Sequence, residues 1–142
     1  MTIKEKETEL IEEFAMFGDW MDKYEHIIQM GKSLPVIPEE EKEDKLLIKG
    51  CQSKVWLKPY FNGTTIEFKA DSDAIITKGI IAILLRALNN HSPSEIVESK
   101  LEFVDAIGLK EHLSPTRSNG LVSMINQIKN YALVFNLSQK AN

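Results

Sequence analysis

The sequence predicts an α+β fold, a small antiparallel β-sheet of about three strands packed against helices, and three patterns carry that prediction. Apolar residues recur at helical spacing between Thr8 and Gly31 and again after Ser114. Alternating apolar and polar residues flank an Asn-Gly pair between Val55 and Lys69. From Ala74 to Leu88 the chain is apolar on nearly every side. Helices, then strands, then helices is the order of an α+β chain, and 142 residues suit one domain, 1–142, around one core.

The first stripe, Leu10, Ile11, Phe14 and Phe17, predicts a helix that Gly18 ends. Asp19 can cap a second helix carrying Trp20, Tyr24, Ile27 and Ile28, which Gly31 stops. The short Gly-Asp break favours a helical hairpin. Leu34–Pro38 holds two prolines and is extended or turned. Glu39–Lys45 is charged throughout, which predicts a solvated short helix or loop.

Leu46–Ile48 reads as a short strand, and Val55 and Leu57 alternate with Lys54, Trp56 and Lys58 in a second. Asn62-Gly63 predicts a two-residue type I′ turn, because both central positions of that turn need positive φ. Ile66 and Phe68 mark the returning strand, and Pro59, lacking an amide proton, belongs near a strand end or an edge. Asp71-Ser72-Asp73 offers side-chain oxygens to a helix start. The Ala74–Leu88 helix is apolar all round and belongs at the centre of the domain. Gly79 costs it roughly 1 kcal/mol against alanine, so close backbone packing is expected there. Ser92-Pro93-Ser94-Glu95 has capping-box spacing and opens a short helix to about Ser99. Lys100–Gly108 carries no clear pattern. Ser114-Pro115 then opens a long helix striped by Leu121, Met124, Ile125, Ile128 and Phe135.

Composition excludes several functions. With 43% hydrophobic and 27% charged residues and a net charge of −4, the chain lacks the basic bias of a nucleic-acid binder, and no Lys/Arg stripe is interleaved with aromatics. MTIKEKETEL lacks the apolar core of a secretory signal. The near-apolar string Gly79–Leu88 is too short for a bilayer and contains Arg86, so no membrane association is expected. A single cysteine suits a reducing compartment, and the expected location is cytoplasmic.

That cysteine, Cys51, stands in a Gly-Cys-Gln-Ser break between two apolar strings. Cysteine is often a buried apolar filler, yet Gly50 and Gln52-Ser53 mark a connection, and fillers sit on apolar stripes. Reactivity requires the thiolate, which Lys49, Lys54 and Ser53 are placed in sequence to favour. A cysteine hydrolase needs a histidine base, but nothing in the sequence pairs Cys51 with His26, His91 or His112, each read as an exposed polar residue. Cluster and zinc sites need several Cys or His ligands, so no metal site is expected within one chain.

Gly50-Cys51-Gln52-Ser53-Lys54-Val55-Trp56 resembles the signature of the SufE-like sulfur-acceptor proteins, the SufE/CsdE family that partners cysteine desulfurases in iron–sulfur cluster assembly. Asp71-Ser72-Asp73-Ala74 with Lys78-Gly79 resembles the start of the family's central helix, and His112–Gly120 its last loop-to-helix turn. The resemblance runs over essentially the whole chain and implies a fold similar to SufE and the IscU-type scaffolds. It implies that Cys51 accepts persulfide sulfur from a SufS- or CsdA-like desulfurase, stimulates that enzyme, and passes the sulfur to a SufBCD-like scaffold complex. The chain would itself be no enzyme and need no cofactor, the pyridoxal phosphate belonging to the desulfurase. Gly50 would free the backbone, Gln52 and Ser53 complete the loop, Asp73 cap the helix and hold the loop closed, and Arg117 favour an anionic sulfur or dock the partner. Two other readings stay open: a thiol redox sensor or plain interaction domain, and an IscU-like scaffold bridging a cluster between two chains.

Overall fold

A computed structural model describes residues 1–141. Thr2 caps α1 (Ile3–Ala15) through a capping box with Glu5, and Asp19 accepts the Asp22 amide at 2.9 Å to cap α2 (Trp20–Lys32). The sheet has two strands, β1 (Val55–Phe61) and β2 (Ile66–Ser72), paired antiparallel from Val55↔Ser72 to Phe61↔Ile66. Next come α3 (Ile75–Leu88), the short α4 (Pro93–Glu98), α5 (Phe103–Ile107) and α6 (Leu109–His112), and the long α7 (Pro115–Ala141). The α+β class stands as predicted.

The sheet has one strand fewer than expected. Asp44–Leu46 winds into a 3-10 turn, and only Leu47 bridges β1, at Trp56. Leu46 and Ile48 are buried like strand residues, but Lys49 and Gly50 turn the chain away before a ladder can grow. On the far edge of β2, Val36 makes one parallel bridge to Ala70, so the extended Leu34–Pro38 segment is tied down without becoming a strand.

The hairpin tip also differs. Phe61 pairs with Ile66 and the Asn62 amide donates to Thr65 O, which makes Gly63-Thr64 the central pair. Only Gly63 has a positive φ, so the turn is not type I′. Asn62 serves instead as an acceptor, its Oδ1 taking the Thr64 and Thr65 amides at 2.9 and 2.8 Å.

Helix α3 is the core: only Ile75, Lys78 and Arg86 escape burial at least in part. It crosses α2 with the two backbones in contact. A Cβ on Gly79 would lie 2.2 Å from Ile27 O, and one on Gly31 would lie 3.0 Å from Gly79 N. Gly31 therefore sits inside α2 as a packing residue and does not stop it. The stretch Lys100–Gly108 holds α5, whose Phe103, Val104 and Ile107 are buried, and Gly108 at φ 85° turns the chain into α6. On α7 the predicted stripe is buried at Leu121, Met124 and Ile128 and partly buried at Ile125 and Phe135, and Ala132 joins it in the core.

Two further readings change. The charged run is not simply solvated, because Lys42 folds under it, over the Trp56 ring, to bind Asp71 at 2.7 Å and Glu39 at 2.6 Å. His91 is buried, with Nδ1 2.9 Å from Asn89 O and Nε2 2.9 Å from Met1 O.

Candidate functional site

Cys51 lies on a short loop fastened on both sides. Before it, the Ile48 amide donates to Val55 O at 2.8 Å. After it, the Lys54 amide donates to Asp73 Oδ1 at 3.0 Å, and Ser72 Oγ donates to Lys54 O at 2.8 Å. Asp73 thus faces the loop and not α3, which starts from Ala74 without a side-chain cap. The capping part of its expected role does not occur. Ser72 Oγ also accepts the Ala74 amide at 3.2 Å, joining the end of β2 to the loop and to the start of α3.

Gly50 has φ 94°, a conformation that side chains disfavour. A Cβ there would also stand 2.4 Å from Ser123 Oγ of α7. The positive φ is what favours glycine, since the Ser123 hydroxyl can turn aside for a Cβ, and the chain leads from this turn directly into Cys51. Its side chain opens onto a cavity of about 380 Å³ between the loop, the first half of α3 and the start of α7. Gln52, Ser53, Thr77, Gly120 and Met124 are among the lining residues.

The Cys51 S–H donates to Gly120 O, with sulfur and oxygen 3.6 Å apart. Burial pushes the thiol up from its ordinary pKa. Lys49 and Lys54, expected to favour the thiolate, are exposed, and burial alone accounts for the shift. The resting site therefore holds a protonated, half-buried sulfur. Arg117 lines the same cavity, but its guanidinium donates to Tyr24 OH and lies 5.8 Å from the Tyr24 ring, which ties it to α2. Of the residues singled out in sequence, Cys51, Gln52, Ser53 and Arg117 meet at the cavity, while Gly50 and Asp73 shape the loop.

The histidines are engaged elsewhere. His26 contacts Glu13 at 2.6 Å, His91 is bound as above, and His112 stacks on Trp20 with ring centroids 4.1 Å apart. Among the described residues no three His, Cys, Asp or Glu side chains gather as a metal site would require. A larger cavity, about 610 Å³, lies along the second half of α3 near Glu13, His26 and Arg86. Glu13 binds both His26 and Arg86 there.

Sequence reasoning missed Thr77, Ser123, Met124 and Tyr24. A signal existed only for Thr77, a polar residue in a mostly apolar run. Met124 and Tyr24 sit on helical stripes and read as packing, and Ser123 lies off the stripe with nothing in the sequence to mark it.

The family model described as SufE, an Fe-S metabolism associated domain, matches residues 8–132. The chain belongs to the SufE family. An uncharacterized SufE-like protein of Rhizobium meliloti (strain 1021) is 39% identical over 129 residues, covering 87% of this chain and 92% of the relative. One from Rhizobium etli is 38% identical over 131 residues, covering 89% and 88%. A third, from Synechocystis, is 33% identical over 130 residues, covering 92% and 82%. The solution structure of a hypothetical protein from Thermus thermophilus superposes with a TM-score of 0.77, over 93% of this chain and 96% of that one. At 17% identity that likeness concerns the fold. The SufE domain thus connects the chain to iron–sulfur metabolism, and no helix among its described residues is long and apolar enough to cross a membrane.

Proposed function

We infer that the chain accepts sulfur on Cys51 from the persulfide of a cysteine desulfurase, stimulating that enzyme, and delivers the sulfur to an iron–sulfur scaffold complex. The observation that carries this reading is the setting of the chain's single cysteine. In a SufE domain, it occupies a tethered loop with its sulfur turned into a cavity and its loop ends held by hydrogen bonds.

In the transfer, the Cys51 thiolate attacks the outer sulfur of the donor persulfide, R–S–SH. A bond forms between Cys51 Sγ and that outer sulfur as the donor's S–S bond breaks, and the electron pair leaves on the inner sulfur as R–S⁻. The products are Cys51–S–SH and the donor thiolate, with no net oxidation. Because the resting thiol is protonated, the loop must first move or a partner group must take the proton. Relief of the donor's sulfur is what speeds its turnover. In this reading the pyridoxal phosphate stays on the desulfurase, and the chain acts as an accessory in a reducing, cytoplasmic setting.

The test is incubation with a desulfurase, pyridoxal phosphate and free cysteine, read by intact mass. The wild type should gain the mass of one sulfur and Cys51→Ser should gain none. A wild type that stays unmodified while desulfurase turnover is unchanged overturns the reading. Sulfenic acid under peroxide without sulfur uptake would point to a sensor instead.

A further inference from the structure

The cavity along the second half of α3 has no part in the sulfur chemistry. It lies between α1, α2 and α3, measures about 610 Å³, and shares no lining residue with the cysteine cavity. Helical spacing builds its walls. Lys6 and Glu13 stand seven residues apart on α1, two turns and roughly 10 Å along one face. His26, Met30 and Ser33 follow one another at the same period on α2.

Charge in this cavity is unbalanced. Glu13 is the one carboxylate among its described lining residues, and it is already bound by Arg86 and His26. Lys6 has no ion pair among the described residues. Its Nζ donates to a neutral acceptor, Asn89 O, at 2.9 Å, and Glu9 acts on it only through space. Lys6 is partly buried, and burial outweighs Glu9 and lowers its pKa. An ammonium drawn out of water without a counter-ion is stabilised by an anion that enters beside it. The whole chain carries a net charge of −4, so this cationic excess is a local feature.

We propose that the cavity binds an organic anion, a carboxylate with an aliphatic body, its head on Lys6 Nζ and its body along Met30, Leu34 and Leu85. One ammonium without an ion pair matches a single negative charge, a carboxylate sooner than a phosphate dianion. The volume lies within the roughly 300–1,000 Å³ of sites for drug-sized molecules, more than an inorganic anion fills. The site is independent of the reading of Cys51.

The experiment titrates the full chain with octanoate, 1-octanol and acetate, followed by amide NMR shifts. Octanoate should give saturable shifts at Lys6, Gln29, Met30 and Asn90 and leave the cysteine loop unmoved. Octanol lacks the charge and acetate the body, and each should bind at least about fivefold more weakly, because charge-assisted hydrogen bonds are about twice as strong as neutral ones and apolar burial adds to them. Lys6→Gln, folded as wild type by circular dichroism, should weaken octanoate by a similar factor, and Lys6→Arg should bind within about threefold of wild type. Absence of saturable shifts overturns the proposal, as do shifts centred on the cysteine cavity or equal affinity in Lys6→Gln. Octanol or acetate binding as tightly as octanoate overturns the assigned ligand class.

Discussion

Asp73 Oδ1 accepts the Lys54 amide, one of the hydrogen bonds that hold the cysteine loop. Such a bond contributes roughly 0.5–1.5 kcal/mol net, and its loss should free the loop without unfolding the domain. Asp73→Arg should raise the rate of Cys51 alkylation by about threefold or more at constant pH, followed with iodoacetamide. Unchanged alkylation with the fold intact removes that role. The pH dependence has a definite sign. Burial holds the folded thiol's pKa above its unfolded value, so the closed loop favours the protonated sulfur. The stability this gives is fully present below the unfolded value and is lost as pH rises through the folded one. Opening the loop should accordingly move the alkylation profile of Asp73→Arg toward lower pH. The sequence already isolated Cys51 and Asp73 by residue type and position. It did not show which backbone Asp73 would satisfy, because Asp at a helix start has a ready local use as a cap, and only the folded chain brings Lys54 within reach.

Among the elements, α2 and α3 cross with their backbones in close contact, Gly79 against Ile27 O and Gly31 against Gly79. Gly79→Ala should destabilise the protein by about 1–3 kcal/mol or more, as overpacking does where the opposing atom is backbone, measured by urea unfolding. Gly31→Ala, with its nearest contact at 3.0 Å against 2.2 Å, should cost less. If Gly79→Ala proved neutral, the close crossing would be refuted. Gly79 was legible as a packing glycine because an apolar helix has no other use for one. Gly31 misled, since a glycine near a helix end resembles a stop signal. The short helices α5 and α6 left no trace because five and four residues do not complete enough turns to display a period. Leu46 and Ile48 looked like a strand because burial imposes the same alternation on any extended segment over a core.

For the whole molecule, one carboxylate links three helices. Glu13 of α1 binds Arg86 of α3 at 2.7 Å and His26 of α2 at 2.6 Å. The Arg86 hydrogen bond is the main reason that the Glu13 carboxyl lies below its ordinary pKa, with His26 adding to it against the effect of burial. A depressed carboxyl contributes stability that is present above its unfolded pKa and lost as pH falls through the folded value. Wild type should thus lose more of its melting temperature than Glu13→Gln between neutral pH and about pH 3. Parallel losses in the two proteins would show that Glu13 does not stabilise the helix cluster.

The loop's two anchors, Ile48–Val55 on one side and Lys54 with Asp73 on the other, leave Cys51 three residues from each. At full extension three residues span about 10 Å, which bounds how far the Cys51 backbone can stand from either anchor while both tethers hold. Under the proposed transfer, a donor sulfur lying farther off requires that one of these tethers be released or that the partner's own segment move inward.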